Sequence, residues 1–187
     1  MTREQIIIKY IKGKDVLDIG SVGQTDKYNL WVFLKKEAGQ LVGLDTEPSD
    51  NPDIIQGNME TYNFHKQFDV ILAGDVLEHI DNQGLFLDNI RKHLKKDGYF
   101  ILTTPNAKWF NVLLRPNPTH TLWHDKYTLF HILNKYGFKV IFFRYYYGNK
   151  PHYNFFKKLL VLRQGVILVA QAKGSDSREG RTLMGFQ

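Results

Sequence analysis

Short apolar runs alternate with amphipathic stretches along the chain, a pattern that predicts an α/β domain built on a parallel sheet. Residues 3–12 predict an opening helix. DVLDIG (15–20) reads as a buried strand ending in glycine, and LVGLD (41–45) as a second ending in an acid. Between them, Tyr28, Leu30, Trp31, Phe33, Leu34 and Ala38 recur at mostly helical spacing and predict a helix over 26–38. A short third strand is expected at 53–57, after the turn region bounded by Pro48 and Pro52. FDVILAGD (68–75) is apolar nearly throughout, as suits a central strand covered on both faces.

Residues 83–95 predict a helix with Leu85, Phe86, Ile90 and Leu94 on one face, closed by Asp97-Gly98. YFILTTP (99–105) is a fifth strand stopped by Pro105. Residues 106–125 break the pattern with two prolines, two tryptophans and two histidines, and are expected to form a lid or an acceptor loop. A helix over 127–138 and strands near 139–146 and 166–172 complete the domain, taken as 1–173. A flexible basic tail is expected over 174–187.

Composition narrows the field. The chain has 187 residues, 43% hydrophobic and 14% aromatic, enough for one packed core and too apolar for wholesale disorder. There is no cysteine, which excludes disulfides, thiolate metal sites and a thiol nucleophile. The amino-terminal run Ile6–Ile8 is too short and too charged for a secretory signal. No stretch approaches the roughly 18–20 apolar residues of a membrane span. A cytoplasmic protein without a membrane span is therefore expected. The net charge is +6, and from residue 150 onward seven Lys/Arg face two acids. That basic end is read chiefly as a solvated surface.

Candidate chemistry gathers at the predicted carboxyl ends of four strands, where open parallel sheets bind ligands. Asp18-Ile-Gly20-Ser21-Val22-Gly23 follows the first, Asp45-Thr46 the second, Gly57-Asn58-Met59 the third, and Gly74-Asp75 the fourth. Gly20 and Gly23 allow a sharp turn and close approach to a ligand. Asp45 suits a ribose diol. Asn58 could bond an adenine edge while Met59 packs on the ring.

VLDIGSVGQ, LVGLDTEP, DIIQGNMETYNF, FDVILAGDVLEHIDN and LKKDGYFILTTPN, in this order and spacing, resemble the successive motifs of class I S-adenosylmethionine-dependent methyltransferases. The branch with D-V-L-E-H after the fourth strand is the nearest, and the likeness covers roughly residues 13–145. It implies a Rossmann-like three-layer α/β sandwich whose seven-stranded sheet is mostly parallel, with an antiparallel last strand. It also implies S-adenosyl-L-methionine as cofactor. By the resemblance, Asp18 and the loop Gly20, Ser21, Val22, Gly23 surround the methionine moiety. Asp45, with Thr46 beside it, holds the ribose; Asn58 and Met59 hold the adenine; Gly74 and Asp75 border the methionine end.

One departure stands out. The family's first loop usually runs D-x-G-x-G-x-G, whereas Val22 and Gln24 occupy the second and third glycine positions here, with Gly23 between them. The backbone is expected to take a different path, or the cofactor to sit farther out. A nicotinamide dehydrogenase fits worse, because Gly20-Ser-Val-Gly23 does not make G-x-G-x-x-G.

An oxygen or nitrogen acceptor needs a base, and three histidines are candidates for catalysis: His79 in the D-V-L-E-H motif, and His120 and His124 in the 106–125 loop. Trp109, Phe110 and Trp123 could wall an acceptor pocket. No metal is expected. His120 and His124 would share a helical face beside Asp125, but Pro116 and Pro118 oppose a helix there, and no sequence rule brings His79 into range. A small-molecule acceptor, such as a sugar or other metabolite, is the expected partner. Nucleic acid is disfavoured, since Ala73-Gly74-Asp75-Val76 does not resemble the Asn/Asp-Pro-Pro-aromatic motif of base-amine methylation. Aromatics interleaved with Lys150, Lys157 and Lys158 leave base stacking open. The alternative of another class is a degenerate methyltransferase fold acting as a binding or scaffold subunit. The sequence does not determine the oligomeric state.

Overall fold

A computed structural model of the chain describes residues 2–23, 30–109, 117–146 and 164–173. Gln24, Tyr28, Phe110, Pro116, the aromatic and basic stretch 147–163 and the tail from 174 lie outside the described residues. Seven strands are present among the described residues: β1 (Asp15–Ile19), β2 (Gln40–Asp45), β3 (Ile54–Gln56), β4 (Phe68–Gly74), β5 (Leu94–Pro105), β6 (Phe138–Tyr146) and β7 (Gly165–Ala172). They form one sheet in the order β3-β2-β1-β4-β5-β7-β6. The first five pair in parallel, and β7 runs antiparallel to both β5 and β6. This is the mostly parallel seven-stranded Rossmann-like arrangement expected from the sequence.

Among the described residues, four α-helices cover the faces: α1 (Arg3–Ile11), α2 (Leu30–Glu37), α3 (Gln83–His93) and α4 (Lys126–Lys135). Alternation along the strands supplies two cores, because successive side chains of a strand point to opposite faces. Val70 and Leu72 of β4 join Ile6, Ile7 and Ile11 of α1 and Trp31 and Leu34 of α2. Ile71 and Ala73 turn the other way, toward Phe86 and Ile90 of α3 and Leu129 and Leu133 of α4. No helix among the described residues is long and apolar enough to cross a membrane.

The junction of the third helix and the fifth strand departs most from the sequence reading. The third helix ends at His93, and β5 begins at Leu94 rather than near residue 99. Leu94 pairs with Phe68, and pairing resumes at Tyr99 opposite Val70. Asp97, with φ +62°, makes an irregularity inside the strand. Asp97-Gly98 is a helix stop by local rules, but the neighbouring strand captured the residues before it.

A pocket forms where strand order reverses. The chain leaves β1 toward β2 and β3 on one side, and leaves β4 toward β5 on the other, which opens a crevice beyond their carboxyl ends. Ile19 sits opposite Leu44 on one side and Ala73 on the other, so Gly20, Asp45 and Gly74 follow along one edge.

Candidate functional site

The crevice is a cavity of about 660 Å³. Asp18, Gly20, Val22 and Gly23 line it from β1, and Asp45 and Thr46 from β2. Asn58 and Met59 follow β3, and Gly74 and Asp75 end β4. Of the cofactor positions expected from the sequence, Ser21 alone does not line it. Its buried hydroxyl instead donates to the Asp18 carbonyl at 2.7 Å and shapes the turn.

The left-handed residues of the loop after β1 are Gly20 and Gly23, so Val22 between them needs no left-handed backbone. Gly20 and Gly23 both have φ +77°, while Val22 keeps an ordinary negative φ. A β-carbon on Gly20 would meet Val76 Cγ2 at 2.5 Å, so this position admits glycine alone. The Val22 amide donates to Asp45 Oδ2 at 2.8 Å, and the Glu47 amide to Oδ1 at 3.0 Å. Asp45 thus ties the first loop to the second, and each of its oxygens keeps a further lone pair for a diol.

Asp18 is 1% exposed, and its Oδ2 has no hydrogen-bond partner. Burial pushes its carboxyl up to about 7, with Asp45 adding to the rise and Ser21 opposing it. Asn58 closes a turn through Oδ1, which accepts from the Glu60 amide at 2.8 Å and leaves its side-chain NH₂ to a ligand. Met59 is only 2% exposed and belongs mostly to the core. Asp75 takes a left-handed φ of +56°, held by its amide donating to the Thr103 carbonyl at 2.9 Å and hydroxyl at 3.1 Å. Non-glycine residues in this conformation are uncommon and cluster at functional sites.

Sequence reasoning missed Arg3. Its guanidinium reaches the pocket from the first turn of α1 and pairs with Asp75 Oδ2 at 2.9 Å. The Tyr146 hydroxyl donates to Asp75 Oδ1 at 3.2 Å, and burial beside Asp75 raises that phenol. Nothing local marks Arg3, since its partner lies 72 positions away. Glu60 and Asp81, also on the lining, were equally silent.

The lining chemistry selects among ligands. Five carboxylates (Asp18, Asp45, Glu60, Asp75, Asp81) surround the cavity, and Arg3 is the one permanent cation among the described residues that line it. Such a wall favours a cationic ligand carrying one carboxylate and opposes a pyrophosphate. S-adenosylmethionine has a sulfonium, an ammonium and a carboxylate. It fits the orphaned Asp18 oxygen, the Asp45 lone pairs and the glycine approach at Gly20.

The three histidines part company. His79 lines the pocket from the short 3₁₀ turn Leu77–His79. Its Nδ1 lies 3.0 Å from the Thr119 carbonyl, so Nδ1 carries the proton and Nε2 the lone pair. His120 packs edge-on against it with ring centroids 4.7 Å apart, and Trp123 flanks His120 at 4.6 Å. Burial and the neighbouring His79 lower the His120 pKa.

His124 sits elsewhere, contrary to the expectation of an acceptor contact. It is buried with Nε2 3.0 Å from the Gln83 amide, and burial lowers its pKa. Asp125 is a helix cap, accepting from the Thr128 amide and from Lys108, whose bond holds the carboxyl near about 2. Trp109 is half-buried and off the pocket lining.

The model of the methyltransferase domain family matches residues 8–142. A ubiquinone biosynthesis O-methyltransferase of Nitrobacter winogradskyi is 39% identical over 51 residues, 27% of this chain and 20% of that protein. The chain spans under half the length of the curated relatives it matches. Among solved structures, an S-adenosylmethionine-dependent methyltransferase of Archaeoglobus fulgidus superposes with TM-score 0.65 at 21% identity, covering 90% of this chain and 91% of that one. A Burkholderia thailandensis 1,6-didemethyltoxoflavin-N1-methyltransferase, solved with its acceptor and S-adenosylhomocysteine, gives 0.65 at 14% identity, covering 87% and 72%.

Proposed function

Since the chain belongs to the methyltransferase domain family, we propose that it transfers the methyl group of S-adenosylmethionine to an oxygen or nitrogen of a small-molecule acceptor. The observation that carries this reading is the acid-lined crevice, with Asp45 bridging the first two loops and an unpartnered Asp18 oxygen in its wall. Asp45 takes the ribose hydroxyls, and Asn58 with Met59 the adenine. The methionine end lies toward Gly20, Gly74 and Asp75. Arg3 receives the cofactor carboxylate.

Methyl transfer is an in-line displacement: the acceptor's lone pair forms the new bond to carbon, the carbon–sulfur bond breaks, and S-adenosylhomocysteine leaves as a neutral thioether. Orientation alone can supply about 7–11 kcal/mol of barrier lowering. His79 stands at the acceptor end. With Nδ1 pinned by Thr119, its Nε2 can hold an acceptor O–H or N–H and take the proton as the bond forms. The 1,6-didemethyltoxoflavin bound by the Burkholderia protein and the curated relatives' name as ubiquinone biosynthesis O-methyltransferases support an acceptor of small-molecule size.

Calorimetric titration with S-adenosylmethionine and S-adenosylhomocysteine tests the reading. Binding is expected, and Asp45→Ala should weaken it at least about 10-fold, or 1.4 kcal/mol. Absence of heat up to about 1 mM cofactor, a binding free energy weaker than about −4.1 kcal/mol, would leave a scaffold protein in a methyltransferase fold.

A further inference from the structure

The fold joins two segments that the sequence keeps apart. Glu78 and His79 sit on the turn after β4, and His120 on the loop before α4. The Thr121 amide and hydroxyl clamp that loop onto the turn by donating to the Glu78 carbonyl at 2.8 and 3.1 Å. One potential ligand atom from each of Glu78, His79 and His120 then lies within 4.8 Å of the others.

The hydrogen bonds around these atoms show which of them can turn to a cation. His79 donates Nδ1–H to a backbone carbonyl, the outer contact that metal-bound imidazoles commonly make, and this leaves Nε2 as a ligand atom. The Glu78 carboxylate is 2% exposed, with Oε2 accepting from the Thr104 hydroxyl at 3.0 Å. The Asn117 amide stands 3.0 Å from His120 Nε2, its oxygen being engaged by Thr119. The His120 proton therefore rests on Nδ1, which is buried without a partner.

We infer that Glu78, His79 and His120 form a binding site for one divalent transition cation such as Zn²⁺, Co²⁺ or Mn²⁺. Two imidazoles and a carboxylate are three protein ligands of the kind that leave a coordination position open to water or substrate. His79 contributes Nε2. His120 exchanges its Asn117 contact for the cation, either directly at Nε2 or by shifting its proton there and binding through Nδ1. The site adjoins the cavity through His79, so the open position would take an acceptor oxygen that otherwise bonds to His79 itself. That use of the cation rests on the methyl-transfer reading above; the binding site does not.

The test uses untagged full-length protein, stripped with EDTA and desalted, then titrated with Co²⁺ by visible absorption and calorimetry. One-site binding with d–d bands is expected. Outer-shell partners alone are worth about 10–100-fold in affinity, so His120→Ala and Glu78→Gln should each lose at least about 10-fold. Circular dichroism checks folding, and His120→Asn replaces His120→Ala if the latter does not fold. No bands and no heat up to about 1 mM Co²⁺, or equal binding by all variants, overturns the site. S-adenosylhomocysteine is titrated in parallel. Cofactor binding without cobalt binding removes only the cation site, and cobalt binding without cofactor binding removes only the methyl-transfer reading.

Discussion

Asp18 combines two properties that its place in the motif does not separate: it borders the ligand cavity, and it is buried with one oxygen unpaired. Its folded pKa of about 7, against 3.8 when exposed, sets a pH dependence of stability. Below the lower value both states are protonated. As pH rises through that window the unfolded state loses its proton first, so unfolding free energy falls until both forms are ionised. Asp18→Asn cannot titrate. Its melting temperature relative to the native chain should rise from pH 4 to pH 8, and parallel melting curves across that range would refute the assignment. At Gly20 the constraint is steric. Gly20→Ala combines a left-handed φ with the 2.5 Å contact to Val76 Cγ2, so it should destabilise by about 1–3 kcal/mol in denaturant titration. Both residues were legible as motif positions. The unpaired oxygen was not, because burial is set by neighbours from other strands.

At the scale of the element, α1 does more than cover one face of the sheet. Thr2 and Gln5 form a capping box, each side chain accepting from the other's backbone amide, which fixes the first turn and hence Arg3. Ile6, Ile7 and Ile11 anchor the helix in the core, and Arg3 spans to Asp75 with Tyr146 beneath its guanidinium at 5.5 Å. Arg3→Met keeps the stem that packs on the ring and removes the charge. It should weaken S-adenosylhomocysteine binding about 10-fold by calorimetry, worth 1.4 kcal/mol; unchanged affinity would deny Arg3 a place at the cofactor carboxylate. The apolar spacing of α1 was plain in the sequence, but its ligand-facing end was not. Likewise, Asp97-Gly98 gave a sound local stop signal, yet β5 starts at Leu94 because pairing with Phe68 outweighed it.

Across the whole molecule, the pocket belongs to no single element. It exists because β1 and β4 lie side by side while their connections diverge, and because two separate cores hold the sheet rigid between its helix layers. A ligand in that crevice touches loops from four strands and binds the folded state alone. S-adenosylhomocysteine at a hundred times its dissociation constant should stabilise the fold by about 2.7 kcal/mol. For a chain of this size that is a rise of roughly 5–10 °C in melting temperature. No shift in a thermal scan, despite a calorimetric signal, would mean that binding occurs outside the folded crevice.

The sequence by itself determined the strand and helix succession, the sheet class and the glycine and acid positions around the crevice. These depend on local periodicity and on residues close together along the chain, such as Asp18 through Gly23. Only the tertiary structure decided the rest. It sent His124 into the core beside Gln83, brought His120 from 41 positions away onto His79, and carried Arg3 to Asp75. Each of those outcomes depends on which loop hydrogen-bonds to which turn across the sheet. Local spacing holds no information about such pairings, because the chain between the partners is long enough to permit many of them.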